Sequence, residues 1–211
     1  MSKAAVTVRG QESRQRIHDA ALGVLRTKGY TATTVDDLCA AAGVTKGSFF
    51  HHFDCKEDAA LAAIAHWNET TGELFAGAPY WKIADPRARL LAYLDFRAGL
   101  VRGELAEFTC LLGTLVQETF ASHPQLQAAC GAGIRAHAQT LVPTVESAKE
   151  EYAPDADWSP ESLALHIQTV LQGGFVLAKA MNDPQAALEA IAHLKGYVAH
   201  LLPIPKTRRS R

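Results

Sequence analysis

The stretch TTVDDLCAAAGVTKGSFFHHF, residues Thr33 to Phe53, combines two helix-capping threonines with one glycine between them. Thr34 followed by Asp37 is a capping box, in which the hydroxyl accepts an amide of the first turn and the carboxylate reaches back. Gly43 can adopt the positive φ that a tight turn demands, and Thr45 can cap a short helix through residue 52. The pattern predicts two short helices joined by a glycine turn.

Longer helices are predicted on both sides of this stretch. Apolar residues recur on one side of a helix from about residue 11 to residue 28, which Gly29 ends. Asp54 followed by Glu57 is a second capping box, and it opens a long helix over about residues 55–74. A short helix, a turn and a second short helix, braced by a preceding helix, form the arrangement that places the second helix in a DNA major groove.

The polar residues of this segment suit DNA. Alanines 40–42 allow the two short helices to approach closely, and buried apolar residues such as Phe49 and Phe53 would hold them on the first helix. Hydroxyl, ammonium and imidazole groups donate hydrogen bonds to phosphates and base edges. They could instead be caps and solvated polar groups, but as a set they favour DNA binding. The residues expected to face outward are Thr34, Lys46, Gly47, Ser48, His51, His52 and Lys56.

Residues 14–64, RQRIHDAALGVLRTKGYTATTVDDLCAAAGVTKGSFFHHFDCKEDAALAAI, resemble the N-terminal DNA-binding domain of TetR-type transcriptional regulators. Phe50 departs from that family, where a tyrosine often gives its hydroxyl to a phosphate, so this phenylalanine is expected only to pack against the DNA backbone. The resemblance implies that the following residues lie at the DNA: Thr34, Thr45, Lys46, Ser48, Phe50, His51 and Lys56.

The rest of the chain is also predicted to be helical. Its apolar residues recur at intervals of three and four, and Pro86, Pro124, Pro160 and Pro184 stand where a first helical residue would be. The expected fold is all-α, with about nine helices. Residues 1–54 would form a helix-turn-helix domain, residues 55–203 a helical ligand-binding and dimerisation domain, and residues 204–211 a basic, disordered tail.

The same resemblance implies a homodimer formed through the last two helices. Apolar residues line one side of each of these predicted helices, and the alternative is that both stripes face only the core of the protomer. The residues expected at the dimer interface are Leu171, Gly174, Phe175, Ile191, Leu194, Val198 and Leu201.

A small-molecule site in the C-terminal domain is the third implication. A mostly apolar cavity with a few polar groups is typical of such sites, although each apolar candidate could equally be plain core. Pro143, inside an otherwise helical run, is expected to kink its helix. The candidate ligand residues are Trp67, Phe96, Phe108, Cys110, Thr114, Gln117, Gln168 and Gln172.

Composition excludes several other classes of protein. The 211 residues carry a formal net charge of −1, and no apolar run approaches the roughly 20 residues that span a bilayer, so a cytoplasmic protein without a membrane partner is expected. Four scattered cysteines without a C-x-x-C pair indicate neither a metal site nor a disulfide framework, although a redox role for one thiol stays open. The recognised spacings of catalytic, metal-ligand or dinucleotide-binding motifs are missing, so neither an enzyme nor a cofactor is expected.

The sequence therefore predicts a transcriptional regulator, most simply a repressor. As a homodimer it would bind a near-palindromic DNA operator, and a small molecule in its C-terminal domain would release it. One alternative is the same fold answering to a protein partner or binding DNA constitutively. A helical enzyme is the more remote alternative.

Overall fold

The structure is a computed structural model that describes residues 3–204, with side chains from residue 10 onward. Over these residues the fold is all-α. The seven residues from Pro205 to Arg211, most of the expected basic tail, lie outside this range. The α-helices are α1 Lys3–Lys28, α2 Val35–Ala42, α3 Lys46–His52, α4 Lys56–Ala76, α5 Pro86–Gly99, α6 Leu105–Phe108, α7 Leu111–Thr119, α8 Pro124–Gln139, α9 Val142–Tyr152, α10 Pro160–Met181 and α11 Gln185–Leu201.

The helices form two compact units. The first contains the described residues through Glu73 together with Thr109–Gly133, and the second contains Leu74–Phe108 together with the described residues from Ile134 onward. The first unit therefore extends past the expected boundary at residue 54, because Ala63 and Ile64 of α4 are buried and α7 packs against α1.

Helix starts follow the sequence closely. Pro86, Pro124 and Pro160 are each the first residue of a helix, and Pro184 is the N-cap of α11. The kink expected at Pro143 does not occur, because Pro143 does not lie inside one continuous helix. Helix α8 ends at Gln139 and Pro143 lies in the first turn of α9, where its missing amide hydrogen costs no helical hydrogen bond.

The buried apolar residues of the first unit come from α1, α2, α3, α4, α7 and the start of α8. Ile17, Leu38 and Phe49 are almost completely buried, and they come from three different helices. Gly43 ends α2 with φ of 61°, as the tight turn requires, and its amide reaches the carbonyl of Ala40. The turn and the core together fix how α3 leaves α2.

The second unit has a separate core. Its buried residues come mainly from α5, α9, α10 and α11, with Phe75 of α4 and Tyr80 beside them, and they include Tyr93, Val145 and Ile167. Gly174 of α10 lets this helix approach α11 closely, because a Cβ there would lie 3.1 Å from the Cβ of Ala190. Across residues 3–204, each helix is too short or too polar to cross a membrane.

Candidate nucleic-acid interface

The predicted capping box at the start of α2 is present. The Asp37 amide donates to Thr34 Oγ1 at 3.1 Å, and the Thr34 amide donates to Asp37 Oδ2 at 2.9 Å. Lys28 Nζ lies 2.6 Å from Asp37 Oδ1. The hydrogen bond from Lys28, followed by those from Thr34, lowers the pKa of Asp37 to about 2. These contacts tie the start of α2 to the end of α1.

Helix α3 presents a polar surface over a buried phenylalanine. Thr45 is its N-cap, with the Ser48 amide donating to Thr45 Oγ1 at 3.1 Å. Phe49 faces inward and is fully buried, whereas Phe50, the next residue, is 52% exposed. Ser48 is half-buried. Four further residues predicted to contact DNA are exposed: Thr45, Lys46, Gly47 and His51.

Lys46 is the most prominent cation on this surface, and it is paired. Its Nζ lies 2.8 Å from Asp36 Oδ1 on α2, and both side chains are more than half exposed. The hydrogen bond to Asp36 raises the pKa of Lys46, so the lysine is charged at neutral pH. The sequence did not predict this ion pair, because nothing in its pattern distinguishes Asp36 from a solvated carboxylate in the first turn of α2.

Two predicted DNA contacts have partners inside the chain. His52 Nε2 lies 2.7 Å from Ser13 Oγ on α1, and burial lowers the pKa of His52. Lys56 Nζ donates to the carbonyls of Tyr30 and Thr33 at 2.8 and 2.9 Å, and it lies 4.2 Å from the centre of the Tyr30 ring. The geometry thus gives His52 and Lys56 positioning contacts that the sequence did not foretell.

The start of α4 also differs in detail from the expected capping box. The carboxylate that accepts the Asp54 amide belongs to Asp58, at 3.2 Å, rather than to Glu57. The helix begins at Lys56, one residue after the expected position. A carboxylate still closes the first turn, but from one residue further along.

The loop between α1 and α2 has an anchor from a distant part of the sequence. Glu118 Oε2, on α7, accepts the Thr31 amide at 2.8 Å, and the Tyr30 ring lies against His123 with 4.7 Å between ring centres. Gly29 has φ of 79°, and an added Cβ there would collide with the Glu118 carboxylate. No local pattern links Glu118 to this loop, so sequence reasoning missed it.

The candidate ligand residues are divided between the two units. In the first unit, Trp67 lies 5.0 Å from the Arg26 guanidinium, Cys110 is the N-cap of α7, and Thr114 Oγ1 donates to the Cys110 carbonyl. Gln117, in the same unit, is exposed.

In the second unit, the structure gathers some of the candidates around Tyr93. Gln168 is buried and donates to Tyr93 Oη at 3.1 Å. Phe96 contacts the same aromatic cluster, Phe108 packs on Phe175, and Gln172 is half-buried on α10.

The residues expected at the dimer interface belong to the core of the protomer. The apolar faces of α10 and α11 pack on each other, which leaves these side chains little surface for a second chain. Leu201 alone is only half-buried. The buried ones are Leu171, Gly174, Phe175, Ile191, Leu194 and Val198. Within the protomer both stripes face the core, and their role at a dimer interface stays a prediction.

The solvent-facing side of α10 carries several exposed apolar side chains, and the solvent-facing side of α11 carries one exposed aromatic ring. Leu165, Val176, Leu177 and Met181 follow one side of α10, each between 42% and 63% exposed. Tyr197 of α11 is 46% exposed, and its ring lies 5.2 Å from His166 of α10. We call this set of residues the outer face. No sequence signal separated it from the buried stripes, because both recur with the helical period.

The four cysteines are free thiols, two of them buried. Burial, followed by the nearby Cys110, raises the pKa of Cys130 to about 12. Within the described part of the chain, His, Cys, Asp and Glu side chains form no group of three that could hold a metal ion.

A capped short helix, a glycine turn and a second helix with an exposed polar face define a helix-turn-helix protein of the DNA-binding class. Comparison with known proteins gives the family. Residues 17–63 match the family described as bacterial regulatory proteins, tetR family, and residues 86–194 match the Tetracyclin repressor-like C-terminal domain. The chain belongs to the TetR family of transcriptional regulators.

Individual relatives agree with this assignment. The chain is 30% identical over 176 residues to the transcriptional regulator AcuR of Cereibacter sphaeroides, covering 81% of this chain and 78% of that protein. A crystal structure of regulatory protein TetR from Rhodobacter sphaeroides superposes with a TM-score of 0.77 at 28% identity, covering 88% of this chain and 98% of that one. A TetR transcriptional regulator from Chloroflexus aurantiacus gives 0.80 at 25% identity, covering 93% and 99%.

Proposed function

We propose that this regulator is a repressor that binds a near-palindromic operator as a homodimer and leaves it when a small molecule occupies the second unit. The observation that carries the proposal is the exposed polar surface of α3, held in place by the buried Phe49 and the glycine turn. We call the exposed residues 45–47, 50 and 51, together with Thr34 and the half-buried Ser48, the reading surface. A repressor of chromosomal promoters would act in the cytoplasm.

On the reading surface, Lys46 is the residue with the largest proposed role. An ammonium group can contact a phosphate or a guanine edge, and the Asp36 carboxylate holds it at the exposed side of α3 until DNA competes for it. Thr45 would donate its hydroxyl to a phosphate, and His51 adds a ring nitrogen. The Thr34 hydroxyl donates to Asp37 Oδ2 at 2.8 Å, so it would reach a phosphate only by exchanging that partner. Phe50 would pack against the sugar and backbone, without the hydroxyl contact of a tyrosine.

A near-palindromic operator has two half-sites, so the proposed regulator would bind it as a dimer. A protomer offers one reading helix, and two must reach successive major-groove faces about 34 Å apart or a multiple of it. We propose that the outer face of α10 and α11 forms the subunit interface in place of the buried stripes. Four large apolar side chains along one side of α10 form a patch of the kind that marks an association site.

Release by a ligand requires a difference in affinity. A ligand that binds both arrangements of the dimer equally would shift nothing, so the proposed effector prefers the arrangement whose reading helices do not match the operator spacing. We place its site among the aromatic and amide groups of the second unit, which include Phe96, Phe108, Gln168 and Gln172. A regulator controlled by a protein partner would show no such release by a small molecule.

Selection of binding sites from random duplex DNA tests the proposal. Purified protein should enrich a near-palindrome, and its affinity for that site should fall steeply with salt, because phosphate contacts release counterions. Transcription in vitro from a promoter that carries the selected site should fall when the protein is added. Enrichment of a single half-site would contradict the dimer, and stimulated transcription would contradict repression.

A further inference from the structure

Arg97 on α5 is a half-buried cation among aromatic rings. Its Cζ lies 5.2 Å from the centre of the Phe75 ring and 5.7 Å from that of Phe175, both within the range of a cation–π interaction. Among the described residues, no carboxylate pairs with its guanidinium, whereas Asp95, two residues earlier on α5, pairs with Lys195 at 2.6 Å. The guanidinium therefore retains hydrogen-bond donors for an external acceptor.

A neutral polar chain lies beside this cation. Gln168 donates to Tyr93 Oη at 3.1 Å, which leaves the tyrosine proton for His137 Nε2, also 3.1 Å away. Burial, followed by the charge of Arg97, lowers the pKa of His137 to about 4, so the imidazole is uncharged at neutral pH. The Arg97 guanidinium is thus the cation of this cluster at neutral pH.

The side chains around this cation are apolar and aromatic. The Phe75 ring contacts those of Tyr93 and Phe96, with 6.0 and 5.7 Å between ring centres, and Tyr80 contacts Tyr93 at 5.5 Å. Rings of this kind suit a flat apolar body, and a guanidinium suits a carboxylate, which it can bind through two parallel hydrogen bonds. The two requirements are met together in an organic acid with an aromatic body.

We propose that Arg97 binds the carboxylate of an aromatic carboxylic acid whose ring packs against the aromatic cluster of Phe75, Phe96 and Phe175. The Tyr93 and His137 pair would border the carboxylate and complete a polar end to an otherwise apolar site. This inference rests on the proposed effector function, for which it names a ligand class. Neutral analogues lack the charge that Arg97 would pair, so the site discriminates acids from their amides.

The test uses three acids of increasing length and their amides: benzoate, phenylacetate and 3-phenylpropionate against benzamide, phenylacetamide and 3-phenylpropionamide. Binding to the full-length protein without DNA is measured by calorimetry. At least one acid should bind, and its amide should bind about tenfold to hundredfold more weakly, as expected for the loss of one charged hydrogen-bonded pair. If no acid binds, or if each amide binds as well as its acid, the assignment is wrong.

Two arginine variants locate the charge. Arg97→Gln should weaken the binding of the acid about tenfold or more, whereas Arg135→Gln, which removes an exposed arginine of α8 in the same unit, should leave it unchanged. Arg97→Lys keeps the charge and serves if the glutamine variant does not fold, and it should weaken binding by losing the planar donors. Unchanged affinity in a folded Arg97 variant would overturn the proposal.

Operator release is measured separately with the selected DNA site. An acid that binds through Arg97 and releases the operator supports both the ligand class and its regulatory role. An acid that binds through Arg97 without releasing DNA keeps the site and rejects the proposed release. Operator binding by a protein that takes none of the acids keeps the DNA-binding function and rejects the site.

Discussion

The helix pair α2 and α3 differs from the helix pair α10 and α11 in the kind of contact that specifies its structure. Both pairs are amphipathic and both have a glycine at a critical point, but the first pair is specified mainly by local contacts. Its caps and turn depend on contacts between residues three to five positions apart. In the second pair, one of two apolar faces packs into the protomer core. Contacts with residues far away in the sequence determine which face it is. Local chemistry specifies helix ends, whereas tertiary packing specifies helix faces.

The largest effect should come from the core beneath the reading surface. Phe49→Ala removes a fully buried ring and should lower the free energy of unfolding by about 3–5 kcal/mol, because the cavity cannot fully close. Phe50→Ala is the matched control, since its ring is mostly exposed, and it should change stability by about 0.5 kcal/mol or less. Urea unfolding followed by circular dichroism measures both. Equal effects at the two positions would refute the orientation of α3.

The outer face of α10 should respond differently from its buried face. Leu177→Glu places a charge on the proposed interface and should yield monomers at concentrations where the unaltered protein is dimeric, as measured by light scattering after size-exclusion chromatography. Leu171→Ala should instead lower the free energy of unfolding by about 2–5 kcal/mol. Leu74→Glu, an exposed leucine of α4, is the control for added charge. A dimeric Leu177→Glu variant would reject the outer face as the interface.

Loss of the cap on α2 should have a smaller effect. Thr34→Ala removes the hydroxyl that accepts the Asp37 amide and should cost about 1 kcal/mol of unfolding free energy. Thr31→Ala is a suitable control, because Thr31 is also exposed and contacts Glu118 through its backbone amide. Thermal unfolding of the two variants, measured side by side, should show a lower midpoint only for Thr34→Ala.

The smallest effect should be a pH dependence of the free energy of unfolding at acidic pH. Since the pKa of Asp37 is about 2 in the folded protein and its ordinary value is 3.8, the carboxylate stabilises the fold above pH 3.8. This contribution should disappear as the pH falls from about 4 to 2. Asp37→Asn should show a shallower pH dependence of the unfolding midpoint across that window. The same slope in the variant and in the unaltered protein would remove Asp37 from the account.

The sequence predicted the helical class, the caps at Thr34 and Thr45, the glycine turn and the proline starts, because each of these is decided within one helical turn. It missed the partners of His52 and Lys56, which come from α1 and the loop after it. It also missed Asp36 beside Lys46 and the Arg97 cluster, which arise only when separate helices meet. Interactions between distant residues leave no periodic signal, so the sequence alone could not supply them.

The most direct test of the central claim is the salt dependence of operator binding by Lys46→Ala. Affinity for the selected site should fall, and the slope of log affinity against log salt should become shallower by about 0.9, the contribution of one phosphate contact. Lys82→Ala, which removes an exposed lysine of the second unit, should change neither quantity. If Lys46→Ala binds the site with the affinity and slope of the unaltered protein, Lys46 does not contact DNA and the proposed reading surface is wrong.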